Sequence, residues 1–257
     1  MIGAPRIGAS GAVRPFYNRP PGGSPSAPPT FVAAVDTAFS DPFRAGPSTM
    51  SPPAIAIAAG DLLVVCVGVR GSLAVAPAVS VAVDGGGAPV VTLAVNTSNV
   101  AGTVDVYMFF ITGAAAGSRT ITVTGAGIAG VSIPTGMSCV VYALRGAAAS
   151  PLDKVASNFG TGAMGPYVAG PTAALTVPNQ FDITALALGE AGTEDPRPWV
   201  APFVFRDAGV PFTDPSTDVS TWCADRTSLT TAAVTATSGT PVDPLDYAVA
   251  VATFKGA

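Results

Sequence analysis

Seven acidic residues crowd into the stretch from Glu190 to Asp225: Glu190, Glu194, Asp195, Asp207, Asp214, Asp218 and Asp225. Both tryptophans, Trp199 and Trp222, fall in the same stretch. An aromatic face beside carboxylates can hold a sugar, and an oxygen-rich cluster can hold Ca2+. Trp199, Trp222, Asp214 and Asp218 are therefore the candidate glycan contacts. Two carboxylates can also cleave a glycoside with no histidine present. The run Asp214-Pro-Ser-Thr-Asp218 lacks the Asp-x-Asp-x-Asp-Gly order of a calcium loop. A solvated, acid-decorated connection, pinned to the core by a tryptophan, is the plainer account.

Other chemistry is excluded by composition. The chain has no histidine. That removes the Ser-His-Asp and Cys-His machines, His-ligated metals and the imidazole proton shuttle. No Gly-x-Ser-x-Gly elbow is present, and it would lack its base. Cys66, Cys139 and Cys223 are an odd, unclustered set, neither a disulfide framework nor a zinc site. Cys66 and Cys139 sit in apolar alternating runs and read as small buried hydrophobes; Cys223 lies in a more polar stretch. Gly125-Ala-Gly127-Ile-Ala-Gly130 has dinucleotide-fingerprint spacing, but that motif needs a helix behind it. The following Val131-Ser132-Ile133-Pro134-Thr135-Gly136 cannot supply one. The expectation is no catalytic residue, no cofactor and no metal.

Charge narrows the partners. The 257 residues carry 12 Lys+Arg and 16 Asp+Glu, a net charge of -4. Only Lys154 and Lys255 are lysines, and most arginines are scattered, so no basic footprint for nucleic acid exists. Thr120 to Leu144 is uncharged, but Gly125, Gly127, Gly130, Pro134 and Gly136 break any spanning helix. The N-terminus lacks the uninterrupted apolar core of a secretory signal.

Residues 1–30 differ from the rest. Seven prolines and five glycines fill twelve of these thirty positions. Arg6, Arg14 and Arg19 give the segment a charge of +3, leaving -7 on the remainder. Such a composition does not fold alone. It suits an extended arm that orders against a partner, with Phe16 and Tyr17 as anchors alongside Ile7 and Val13, and Arg6, Arg14 and Arg19 as clamps.

From Phe31 onward the repeat is period two, the signature of strands. Leu62 to Val69 is apolar on both faces, as in a central buried strand. Val104 to Ile111 begins with alternation and ends wholly apolar. Arg119 to Thr124 alternates, placing Ile121 and Val123 inside and the threonines outside. Ser138 to Leu144 is another buried strand, and Phe181 to Leu188 begins as a half-exposed one. Leu229 to Thr237 alternates Thr, Ala and Val. Tyr247 to Phe254 places Val249 and Val251 on one face and alanines on the other. Turn clusters separate these runs, and none combines helical periodicity with caps. The expected fold is all-β: an antiparallel, jelly-roll-like β-sandwich of ten to fourteen short strands over 31–257, behind an extended Pro/Gly-rich arm over 1–30.

Three local patterns carry a resemblance. They are Ala59-Gly60-Asp61-Leu62-Leu63-Val64-Val65; Thr103 to Phe109 followed by Gly117-Ser118-Arg119-Thr120-Ile121-Thr122-Val123; and Val140-Val141-Tyr142-Ala143-Leu144-Arg145-Gly146 followed by Pro151-Leu152-Asp153. In this order they resemble a β-sandwich domain of tailed-bacteriophage virion proteins, over roughly residues 54–257. The resemblance implies a non-enzymatic fibre, decoration or appendage subunit, assembled in the host cytoplasm and located in the virion. It implies attachment to other virion proteins (capsid, neck or tail subunits) through the N-terminal segment, a homo-oligomeric state, and no contact with nucleic acid or membrane. Many such proteins carry the domain at the end of a longer fibre, so this chain looks more like a decoration, spike or adaptor. The rival expectation is a carbohydrate- or host-receptor-binding adhesin using a host surface glycan.

Overall fold

Side chains alternate across a strand, so a strand that is apolar at every position needs cover on both faces. That requirement organises the molecule. The computed structural model describes residues 26–40, 47–73, 78–99, 104–126, 132–189, 199–209, 219–239 and 245–257. Among these residues there is no helix, and they form seventeen strands. The first ten are β1 (Thr30–Ser40), β2 (Ser48–Met50), β3 (Ile55–Ile57), β4 (Leu62–Leu73), β5 (Ala78–Val83), β6 (Gly87–Asn99), β7 (Val104–Ala114), β8 (Gly117–Arg119), β9 (Ile121–Ala126) and β10 (Ser132–Arg145). The rest are β11 (Ala147–Ala163), β12 (Val168–Ala169), β13 (Gln180–Leu188), β14 (Val204–Gly209), β15 (Ser220–Ser228), β16 (Ala236–Thr237) and β17 (Leu245–Gly256).

Two five-stranded antiparallel sheets form the centre, in the orders β1-β10-β4-β7-β6 and β11-β17-β13-β15-β14. They pack face to face with strands aligned: β1 lies against β14, β4 against β13, and β6 against β11. The small sheets β2-β9-β5 and β3-β8 cover the outer face of the first sheet. With β2/β3 and β8/β9 each taken as one interrupted strand, the first ten strands wind as a jelly roll, except that β6 pairs with β7 instead of β5. The outer face of the second sheet is covered by β12-β16 and by Trp199, Phe203 and Leu175.

Three cores result, and strand phase decides which residue serves which. In β4, Leu62, Val64 and Cys66 enter the core between the large sheets. Leu63, Val65, Val67 and Val69 enter the outer core on the other side. In β17, Ala248, Ala250 and Ala252 face the inter-sheet core while Tyr247, Val249 and Val251 face outward. Alanines on the second sheet thus meet Tyr142, Met108 and Phe110 from the first, a small-against-large fit.

The structure differs from the sequence reading in strand number, seventeen among the described residues against the ten to fourteen expected, and in the character of two strands. Phe181–Leu188 is buried at every position, because both faces of its sheet are covered. Leu229–Thr237 is strand only at Ala236–Thr237. The rest crosses the outer face as an irregular cover, its carbonyls bonded to Thr172 and Leu175 amides. The alternation reflects burial of Val234 and Ala236 and not a regular ladder.

Candidate functional site

The described carboxylates are mostly engaged in structural pairs. Arg145 forks onto Asp61 with two bonds of 3.0 Å, and the Ala58 amide donates to Asp61 at 2.7 Å. Burial opposes ionisation of Asp61, yet Arg145 and that amide outweigh it and hold the carboxyl below its usual value. Asp153 accepts from Thr176 and Gln180 and is likewise held low against the opposing effect of its own burial. Arg206 forks onto Asp225 at 2.6 and 2.7 Å. Arg226 donates to the fully buried Asp182 at 2.8 Å, and Ser228 donates to the same oxygen. Burial raises Asp182 despite these partners.

Three carboxylates stand outside this pattern. Asp36 of β1 meets Asp207 of β14 in a hydrogen bond, and burial followed by the Asp207 charge pushes Asp36 up to about 6. Asp105 of β7 is wholly buried, neither of its oxygens has a hydrogen-bond partner, and burial raises it to about 6. Ser98 and the Asn99 amide lie near enough to moderate that rise. No group of three or more His, Cys, Asp or Glu that could hold a metal occurs among the described residues. No helix there is long and apolar enough to cross a membrane.

The two tryptophans offered as glycan contacts lie together, but inside the protein. Trp199 is 5% exposed and Trp222 6%, both in the outer core on the second sheet. Trp222 donates its indole N–H to Ser220 at 2.8 Å. Neither indole offers a face to solvent. Asp214 and Asp218 lie outside the described residues, as do the arm residues Arg6, Arg14, Phe16, Tyr17 and Arg19. All three cysteines are buried and free. Cys223 lies against Cys66 across the inter-sheet core, and burial first, then that contact, drives its thiol well above the ordinary value.

The molecule has two unlike ends. Residues 26–29 lead into β1 at the end where Thr30 pairs with Arg145. There Asn179 donates to the Ser26 carbonyl at 2.9 Å, and Pro29 is buried. A Cβ on Gly256 would fall 1.7 Å from the Ala27 carbonyl oxygen, so only glycine fits beneath this segment. The root of the arm is therefore part of the body from Ser26 onward. At the opposite end Leu73 pairs with Ser132, Asn99 with Val104, Leu188 with Ser220 and Gly209 with Thr221. Gly189 packs against Val104 there, tying the two sheets. Of the seven internal breaks in the described chain, five run from strand end to strand end here, and the other two (190–198 and 240–244) each have one flank here. The residues of all seven breaks include seven acids against two arginines.

The two long sides also differ. Where β1 meets β14, Arg206 lies 4.3 Å over the Phe31 ring and bonds Asp225, while Asp36 meets Asp207. Where β6 meets β11, the facing side chains Val90, Val155 and Phe159 remain exposed. Sequence reasoning missed both sides. The partners at the first are some 170 positions apart in the chain, and strand phase reveals which face a residue takes but not its neighbour across the gap.

Compared with known proteins, the chain matches no family model, no curated protein and no solved structure.

Proposed function

We propose that the chain is a non-enzymatic structural subunit of a tailed-phage particle: a head, neck or tail decoration, fibre or spike component held by its N-terminal arm. Other virion proteins are its partners, further copies of itself included, and it is assembled in the host cytoplasm. The observation that carries this reading is the opposition of the two ends. The basic, Pro/Gly-rich arm roots at one end through Ser26 to Pro29, and the acid-rich connections leave from the other. A subunit tethered at one end and free at the other has this arrangement. The pairing of Asp61, Asp153, Asp182 and Asp225 with structural partners supports a building role over catalysis.

The test is removal of residues 1–25, a cut that spares Ser26 to Pro29. The shortened chain stays folded and soluble and no longer joins particles. Incorporation at the full level overturns the arm's role. The second reading, a glycan- or receptor-binding adhesin, draws support from Asp214 and Asp218, since the connection bearing both lies between strands that meet at the free end. Binding of host polysaccharide that survives removal of the arm and fails on changing these two aspartates to asparagine selects it.

A further inference from the structure

The side of the slab between β6 and β11 is an open apolar groove. Thr92 pairs with Phe110 and Val90 with Thr112, so Val90 and Thr92 share the face that Phe110 turns into the inter-sheet core. On β11, Leu152, Val155 and Phe159 pair with Phe254, Ala252 and Ala248, and take that same inward face. Inward-facing side chains should be covered, yet Val90 is 58% and Phe159 51% exposed. The floor deepens into two adjoining hollows of about 300 and 260 Å³ that share Thr112 and Ala149. About 150 Å³ already admits a benzene ring, so each hollow has room for an aromatic side chain. The groove is shut at its upper end, where Asn99 donates to the Gly160 carbonyl at 2.6 Å and accepts from Thr161 at 3.1 Å.

Its lower end lies beside the root of the arm. Ala147 lines the lower hollow and pairs with Gly256, and Gly256 is the residue that Ala27 covers. Twenty-five residues precede Ser26, and they hold the aromatic pair Phe16 and Tyr17.

We propose that the groove seats this chain's own Phe16 and Tyr17, so that the inner part of the arm lies along the β6/β11 side and the first dozen residues leave the body at a fixed place. Eight residues separate Tyr17 from Ser26, and the nine steps between the two reach about 28 Å at the polyproline rise of ~3.1 Å each, enough to bring the pair to the hollows. Gly22-Gly23 lies within that link and permits the chain to double back. A seat this close to the tether is filled at high effective concentration, which favours the chain's own arm over a neighbour's. The opposite side needs no such cover, because Phe31 under Arg206 already closes it.

Cross-linking tests the seat without reference to any particle. Asn18→Cys and Ala149→Cys are joined with a short bis-maleimide; the native cysteines are buried and do not compete. Ser26→Cys with Asn179→Cys serves as the control pair. The expected product is a cross-link within one chain at the control's yield, falling about tenfold when Phe16→Ala and Tyr17→Ala are added. Absence of the product, or chains joined in pairs, overturns the proposal, the latter by placing the arm on a second copy. A second measurement leaves the arm untouched: Ala149→Trp fills both hollows. Chymotryptic cleavage after Tyr17 then speeds about tenfold while the melting temperature holds. An unchanged cleavage rate rejects the seat even if the particle-joining role of the arm stands.

Discussion

Gly68 on β4 and Thr221 on β15 face each other across the inter-sheet core so closely that a Cβ on Gly68 would lie 2.4 Å from the Thr221 hydroxyl. That hydroxyl is not free to swing away, because it bonds Ser138 at 2.6 Å. Ala187 stands 3.1 Å from the same point. Gly68→Val is therefore expected to destabilise by about 1–3 kcal/mol, the usual cost of overpacking a filled core. Urea unfolding measures it. A variant as stable as the parent would show that the sheets can part locally.

The pH dependence follows from the buried acids. Unfolded, an aspartate titrates near 3.8; folded, Asp36 and Asp105 keep their protons up to about 6. Between those values the folded state binds more protons, so this stabilisation is complete below 3.8 and is lost as pH rises through 6. Asp61 and Asp153 are held low, and their contribution is present above 3.8 and lost as pH falls further. The melting temperature should thus peak at about pH 4–5 and decline toward pH 7.5. Asp105→Asn should make that decline shallower. A melting temperature that climbs from pH 5 to 7.5 contradicts the burial of these groups.

Arg226 neutralises an aspartate with no exposed surface. Arg226→Met strands that charge and should cost about 3–5 kcal/mol. Asp182→Asn in the same chain should recover much of the loss. Arg145→Met should cost less, since Arg145 is itself 56% exposed. Equal losses at the two sites would mean that burial of the carboxylate, and not of the pair, sets the energy.

Trp199 and Trp222 should emit at short wavelength and resist quenching by acrylamide, as interior indoles do. Surface polysaccharides should leave that emission unchanged. Trp222→Ala should cost about 3–5 kcal/mol as a core deletion. Strong quenching by a glycan would restore the two indoles as a binding platform.

The strand faces were legible in the sequence. The double-sided apolar run Leu62–Val69 became a strand shared by two cores. The alternation of Ile121 and Val123 with threonines became the middle strand of the outer layer, fully buried on one face only. The alanine face of Tyr247–Phe254 was visible too, though not that it would meet Tyr142 and Phe110. Pairings across the sheets were not legible, because period two carries no information on what lies opposite. Cys66 and Cys223 look unrelated in the chain and touch in the core. The apolar residues of β6 and β11 look like ordinary strand positions until their exposure is seen.

The stretch Leu62–Val69 of β4 and the whole of β13 have no solvent face at all. Their amides can exchange with deuterium only when the whole assembly opens, while β2, β3, β5 and β8, which serve as lids, can open by local fraying. Labelling in heavy water should therefore work inward by tiers, from the lids to a kernel that resists until global unfolding. A protease or a shear force would meet the same sequence of barriers. Damage to the outer tier would leave the paired central sheets standing.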